Sequence, residues 1–187
     1  MKICVIGAAG TGTSTIGRHI AFHYDIKQIE SDYYAWEQTN PPFQKDRSYE
    51  EGRSLLNKAF DENENLIICG NVARWGKEFS DRFDLLVFLK APTETRIKRI
   101  NYRERELYGE RVLDGGDMFE NFKNFLWYAE HYDVGDETFR SLKQHTNYIK
   151  NHIKCPVLEI DTYGNIDIIL ENLFSGIDKH LLKKDEN

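Results

Sequence analysis

The chain has 187 residues, of which 30% are charged and 40% hydrophobic, with 31 acidic against 25 basic side chains and a formal charge of −6. An acidic total argues against general affinity for nucleic acid, which needs a surplus of basic charge, and no apolar run approaches membrane-spanning length. The length suits a single domain covering residues 1–187, with room for an arm or a lid. Cys4, Cys69 and Cys155 sit singly in or beside apolar runs, a spacing that suits neither a zinc site nor a disulfide framework and implies reduced thiols in a cytoplasmic protein. The N-terminus enters directly on a strand, leaving no room for a signal peptide.

In chain order, Lys2–Ile6 is a short apolar run rich in β-branched residues, as a buried strand requires, and Ser14 to Tyr24 reads as a helix. Ile26 to Glu30 is a second short strand. Residues 33–47, aromatic and turn-rich, are expected to form an ordered loop. Ser48 is a helix N-cap with Glu51 at the capping-box distance, and its helix runs to about Phe60. Leu66–Cys69 and Leu85–Leu89 are further strands. Pro92 opens a long helix from Thr93 to about Glu106, carrying Arg96, Lys98, Arg99, Arg103 and Arg105.

Residues 107–117, with Gly109, Gly115 and Gly116, read as a flexible excursion, followed by helices over 117–132 and 136–152. Pro156 to Ile160 is the last strand and Asn165 to about Leu182 the last helix; Lys183–Asn187 is expected to fray. Strands alternating with helices imply a parallel sheet covered on both faces, with ligands at the carboxyl ends of its strands.

Between the first strand and first helix lies Gly7-Ala8-Ala9-Gly10-Thr11-Gly12-Thr13-Ser14. It fits the phosphate-loop pattern G-x-x-x-x-G-K-[S/T] at every position except that of the lysine, which is Thr13. Glycines let the backbone approach a ligand closely, and backbone N–H groups with the helix N-terminus then favour phosphate. Ser14 supplies the hydroxyl that would ligate Mg²⁺. The competing reading is a glycine-rich turn with a fortuitous match.

Gly10 to Arg18 resembles the G-x-G-K-S-T-I-G-R of shikimate kinases, differing at the lysine. Pro92-x-Glu94-x-Arg96-x-x-Arg99-Ile100-x-x-Arg103 resembles a helix of adenylate kinases and related nucleoside monophosphate kinases, and Leu66 to Asn71 resembles the third strand of adenylate-kinase-like topology-modulation proteins. The resemblance covers most of the chain in order and is weak over 33–63 and 112–152. It implies a P-loop three-layer α/β/α sandwich whose five-stranded parallel sheet has the order 2-3-1-4-5. An acceptor arm (33–63) and a lid (104–117) would accompany it. The cofactors it implies are ATP and Mg²⁺, and the nucleotide would be cradled by Gly7 to Thr15.

Glu30-Ser31-Asp32 resembles the D-S-D that ends strand 2 in shikimate kinases, where the first acid helps to hold Mg²⁺ and the second meets the acceptor hydroxyl. Carboxylates are hard ligands for magnesium and can take a hydroxyl proton; solvated loop acids are the alternative. Ser14, Glu30 and Asp32 are thus the metal candidates. Gly70, Asn71 and Arg74, with Asp32, are the acceptor-site candidates, Arg74 being equally readable as a surface ion pair. Families of this type carry an acid where Cys69 stands, a second departure that falls on the metal; a packed core thiol is the reading for Cys69.

Arg96, Arg99 and Arg103 share a helix face. Arg99, Arg103, Arg105 and Arg111 could converge on the transferring phosphates, with Arg140 a weaker fifth candidate, or could simply be a charged surface. Lys90 could swing in to replace the missing lysine or be a surface lysine. Tyr33, Tyr34 and Trp36 could stack on a ring. The stripe Met118, Phe119, Phe122, Phe125, Leu126 and Tyr128 reads as core packing rather than a base platform. The leading function is transfer of the γ-phosphate of ATP to a small metabolite such as a nucleoside, nucleotide or hydroxy acid. The alternative is a nucleotide-binding sensor or scaffold of the same fold.

Overall fold

The structure, a computed structural model, describes residues 1–185. Five strands, β1 (Lys2–Gly7), β2 (Lys27–Glu30), β3 (Leu66–Cys69), β4 (Leu85–Lys90) and β5 (Val157–Asp161), form one parallel sheet in the order β2-β3-β1-β4-β5. This is the expected topology. The register pairs Val5 and Glu30 with Cys69, and Gly7 with Leu89, so the ends of β1, β2 and β3 lie side by side.

The central strands β3, β1 and β4 are apolar along nearly all their length because both faces are covered, while the edge strands β2 and β5 also carry polar residues. Cys4, Ile6, Ile68, Leu86 and Phe88 pack on α3 (Tyr49–Glu62) and α6 (Leu142–His152) through Leu56, Phe60 and Tyr148. Ile3, Val5, Ile67, Leu85 and Val87 pack on α1 (Thr13–Tyr24) and α7 (Ile166–Asp185) through Ile16, Ile20, Ile169 and Leu173. Each such side chain, fully buried, stabilises the fold by about 1.5–3 kcal/mol. A third cluster joins α4 (Thr93–Tyr108) to α5 (Phe119–Glu130) through Ile100, Val112, Met118 and Phe122.

Several elements differ from the sequence expectation. The segment expected as a loop from residue 33 begins with a short helix, α2 (Ser31–Ala35), and the rest is tied across by a Trp36–Asp46 bridge. Ser48 does cap α3, accepting from Glu51 N at 3.2 Å, but the Glu51 carboxylate pairs with Arg47 instead of completing the box. The expected flexible excursion is packed: α4 runs on to Tyr108, a 3₁₀ turn spans Gly109–Val112, and Val112 is buried. No helix forms over 136–141. Asp136 captures Thr138 N at 2.9 Å and Ser141 caps α6 by accepting from Gln144 N at 3.0 Å, so these side chains take the bonds a longer helix would need.

The aromatic stripe of α5 is core only in part: Phe122 is buried, while Trp127 and Tyr128 are half exposed. Helix α7 extends to Asp185, three residues into the tail expected to fray; the remaining two lie outside the described residues. Among the described residues, no helix is long and apolar enough to cross a membrane.

Candidate functional site

The loop between β1 and α1 is held from below and open above. Thr11, almost fully buried, donates from Oγ1 to Ala8 O at 2.8 Å and closes the turn. Gly10 (φ 82°) packs so closely on the first turn of α4 that an added Cβ would lie 2.5 Å from the Arg96 carbonyl oxygen. At Gly12 (φ 91°), which caps α1, an added Cβ would meet nothing within 4 Å. No side chain caps α1 and its first turn holds no acid. Its leading N–H groups, with their positive dipole end, therefore suit the negative charge of a phosphate.

Arg99 and Thr162 brace this loop. Thr162 Oγ1 donates to Thr11 O at 2.9 Å, while Arg99 donates to Thr162 O at 2.7 Å and to Gly10 O at 3.4 Å. Arg99 is thus a positioning residue that locks the loop to the turn after β5. Sequence reasoning missed Thr162, since no local pattern marks it.

Beside the loop, Ser14 Oγ donates to Glu30 Oε2 at 3.0 Å, joining the start of α1 to the end of β2. Gln28, also missed, donates from Nε2 to Glu30 Oε1 at 2.7 Å and to Ser14 O at 3.1 Å. Burial raises the Glu30 pKa most; its hydrogen bond from Ser14 opposes this, and the charge of Asp32 adds to it. Two hard oxygen groups on one spot fit a magnesium ion shared with phosphate oxygens. Among the described residues no cluster of three histidine, cysteine or acidic groups could hold a metal by itself. Cys69 is a packed thiol: its Sγ lies 2.2 Å from where a Cβ on Gly17 would sit, and burial first, then the Glu30 charge, pushes its pKa up.

Asp32 stands in the first turn of α2, just past the end of β2, and Gly70 and Asn71 follow the neighbouring β3. Asn71 Oδ1 is buried without a hydrogen-bond partner. Arg140 reaches the same edge from the turn before α6, donating from Nη2 to Gly7 O. Arg74 is exposed, with its guanidinium 5.4 Å from the Trp75 ring centroid. Of the arm aromatics, Tyr34 is buried in the core and Trp36 packs edge-on to Phe43, leaving Tyr33 exposed.

The arginines of α4 do not converge. Arg96, buried, donates to the carbonyls of Ala91 and Ala129 and to Asp133 at 2.7 Å, which makes it a structural tie between α4 and the end of α5. Arg103 pairs with its neighbour Glu104, and Arg111 pairs through two nitrogens with Asp117 at 2.9 Å. Arg105 lines a separate cavity of about 390 Å³ with Val112, Phe119 and Trp127. Lys90 is engaged by Glu159 across β4 and β5, as a surface lysine would be.

A family model described as an AAA domain matches residues 3–123. The chain belongs to this AAA domain family, with the P-loop kinase fold. The family member is 37% identical over 179 residues to the uncharacterized protein YqaC of Bacillus subtilis (strain 168), across 94% of this chain and 98% of that one. It is 26% identical over 151 residues to cytidylate kinase 2 of Borrelia garinii subsp. bavariensis, across 73% of this chain and 81% of that one. In fold it is similar to shikimate kinase from Bacteroides thetaiotaomicron, with a TM-score of 0.57 and 18% identity over 98% of each chain. It is likewise similar to deoxyadenosine kinase from M. mycoides, with a TM-score of 0.55 and 19% identity over 96% of this chain and 100% of that one.

Proposed function

We propose that this P-loop protein is a phosphotransferase that moves the γ-phosphate of ATP to a hydroxyl or phosphate of a small metabolite such as a nucleoside, nucleotide or hydroxy acid. One observation carries the reading: a phosphate loop open at Gly12 shares a sheet edge with the Ser14–Glu30 pair and with Asp32. Gly7 to Thr15 would cradle the phosphates through backbone N–H groups. Ser14 and Glu30, with Asp32 close by, would hold Mg²⁺, which when bound neutralises phosphate charge. Asp32 would accept the acceptor's proton, and Gly70, Asn71 and Arg74 would form the acceptor wall. Residues 33–63 would act as the acceptor arm. Residues 104–117 would form the lid, and a shift of that segment would bring Arg105 or Arg111 to the phosphates.

The test is transfer of label from γ-labelled ATP, at millimolar nucleotide and Mg²⁺, to a panel of nucleosides, nucleoside monophosphates and hydroxy acids. Phosphorylation of one class well above the others is the expected result, and no transfer to any would overturn the reading. Thr13 and the buried thiol of Cys69 favour a second reading, a protein that binds nucleotide without turnover. Calorimetric ATP binding combined with zero transfer would establish it.

A further inference from the structure

The lysine position of the phosphate loop holds Thr13, which brings no charge, and the nearby cations named above are mostly engaged. Lys90 pairs with Glu159, Arg96 is held in the core by Asp133, Arg99 is spent on Thr162 and Gly10, and Arg111 is paired with Asp117. Arg103 is paired with Glu104, and Arg105 faces a different cavity.

Arg140 differs from all of these. The turn that carries it is fixed by Ser141, whose hydroxyl donates to Asp136 O and caps α6. Its Nη2 donates to the carbonyl of Gly7, the last residue of β1, so the guanidinium lies against the start of the phosphate loop. A guanidinium carries five N–H donors. Among the described residues the Gly7 bond is the only one Arg140 makes, its Nε is buried with no partner, and no carboxylate comes within ion-pair distance of it. Burial opposes its charge most, Asp32 supports it from beyond contact, and Arg96 and Arg103 add repulsion. His145, buried nearby, gives no compensation, because burial and the Arg140 charge hold it neutral. A partly buried cation with spare donors and no counter-ion is unsatisfied, and a phosphate is the group that a planar fork of this kind suits.

We propose that Arg140 supplies the positive charge the phosphate loop lacks at Thr13, gripping the γ-phosphoryl group between the loop and Asp32. The assignment rests on the phosphotransferase reading for its role in turnover. There, the bond from the acceptor oxygen to the γ-phosphorus forms as the bond from that phosphorus to the β,γ-bridging oxygen breaks. ADP leaves with the electron pair, and where the acceptor is a hydroxyl Asp32 takes its proton. Arg140 meets the charge on the transferring oxygens, where one preorganised donor is worth about 10²–10³ in rate.

The experiment is a two-by-two comparison of Arg140→Met with the native chain, in the Thr13 and Thr13→Lys backgrounds, reading calorimetric affinity for ATP and for ADP with Mg²⁺. With Thr13, Arg140→Met should cut the preference for ATP over ADP by about tenfold or more, while leaving ADP affinity nearly unchanged. With Thr13→Lys the same change should cost far less, since two groups doing one job are not additive. An unchanged ATP preference, an equal loss in both backgrounds, or a parallel fall in ADP affinity would each overturn the proposal. Should Arg140→Met fail to fold, Arg140→Gln keeps a donor for the Gly7 carbonyl and carries the same expectation. If no acceptor is phosphorylated yet the ATP preference responds as stated, the phosphotransferase reading falls and the assignment of Arg140 to the γ-phosphate stands.

Discussion

At the scale of residues, Asp32 and Thr13 make opposite demands on an experiment. Asp32→Asn keeps the shape of the first turn of α2 and removes the carboxylate proposed as the base, so phosphoryl transfer should fall by about 10²–10⁴ with ATP affinity unchanged, as steady-state rates beside calorimetry would show. Thr13→Lys restores a charged donor at the head of α1. With Arg140 already near the loop, turnover should rise by about tenfold rather than the 10²–10³ a lone lysine can contribute. No gain at all would place the defect elsewhere, with the thiol of Cys69 the first candidate.

The loop itself was legible because its chemistry is local: glycine spacing, a strand before and a helix after. The partners of its side chains were not. Gln28, Thr162 and Arg140 reach the loop across 14, 151 and 133 positions of chain, and no periodicity marks such contacts.

Among the elements, α4 shows how a pattern can be read correctly and assigned wrongly. Arg96, Arg99 and Arg103 do lie on one face, but Arg96 and Arg99 are held by protein groups, while Arg103 is exposed and paired with Glu104. Arg96→Met would remove the ion pair of the half-exposed Asp133, which keeps the Thr93 hydroxyl, and strip two backbone carbonyls of a donor. A loss of about 1–3 kcal/mol is expected from the carbonyls left without a donor, read from the midpoint of urea unfolding.

Helix α6 carries a pH dependence. His145 is fully buried with Nδ1 against the Tyr132 hydroxyl at 2.8 Å, and burial, then the Arg140 charge, lowers its pKa to about 3. An unfolded histidine takes a proton near pH 6.5 while the folded one stays neutral. Below pH 6.5 the unfolded chain therefore binds the extra proton, and stability falls as pH drops from there towards 3. His145→Phe should flatten that part of the stability profile in denaturant titrations from pH 7 to pH 4. Nothing in the local sequence marks this histidine, because its environment is made by β4 and the turn after α5.

For the whole molecule, the thiols give a direct check on packing. Cys4 and Cys69 are fully buried, and burial raises the pKa of both, while Cys155 is partly buried with its pKa raised to about 11. Native protein should therefore react slowly with a thiol reagent at pH 7.5, Cys155 first, and all three should react at once in denaturant. Fast native labelling of Cys69 would mean that the β2–β3 edge opens beside the Ser14–Glu30 pair.

The amino-acid sequence by itself determined the strands, most of the helices, the sheet order implied by its motifs, and the phosphate loop. The strands, helices and loop are written in short-range patterns, namely apolar runs, caps and glycine spacing, while the sheet order came only with the resemblance to P-loop kinases. Tertiary structure alone decided which charges serve the loop and which serve the core. It buried Arg96, engaged Lys90 with Glu159 and brought Arg140 to Gly7, because a long basic side chain takes its role from what lies at its tip. That tip is set by contacts between segments far apart in the chain.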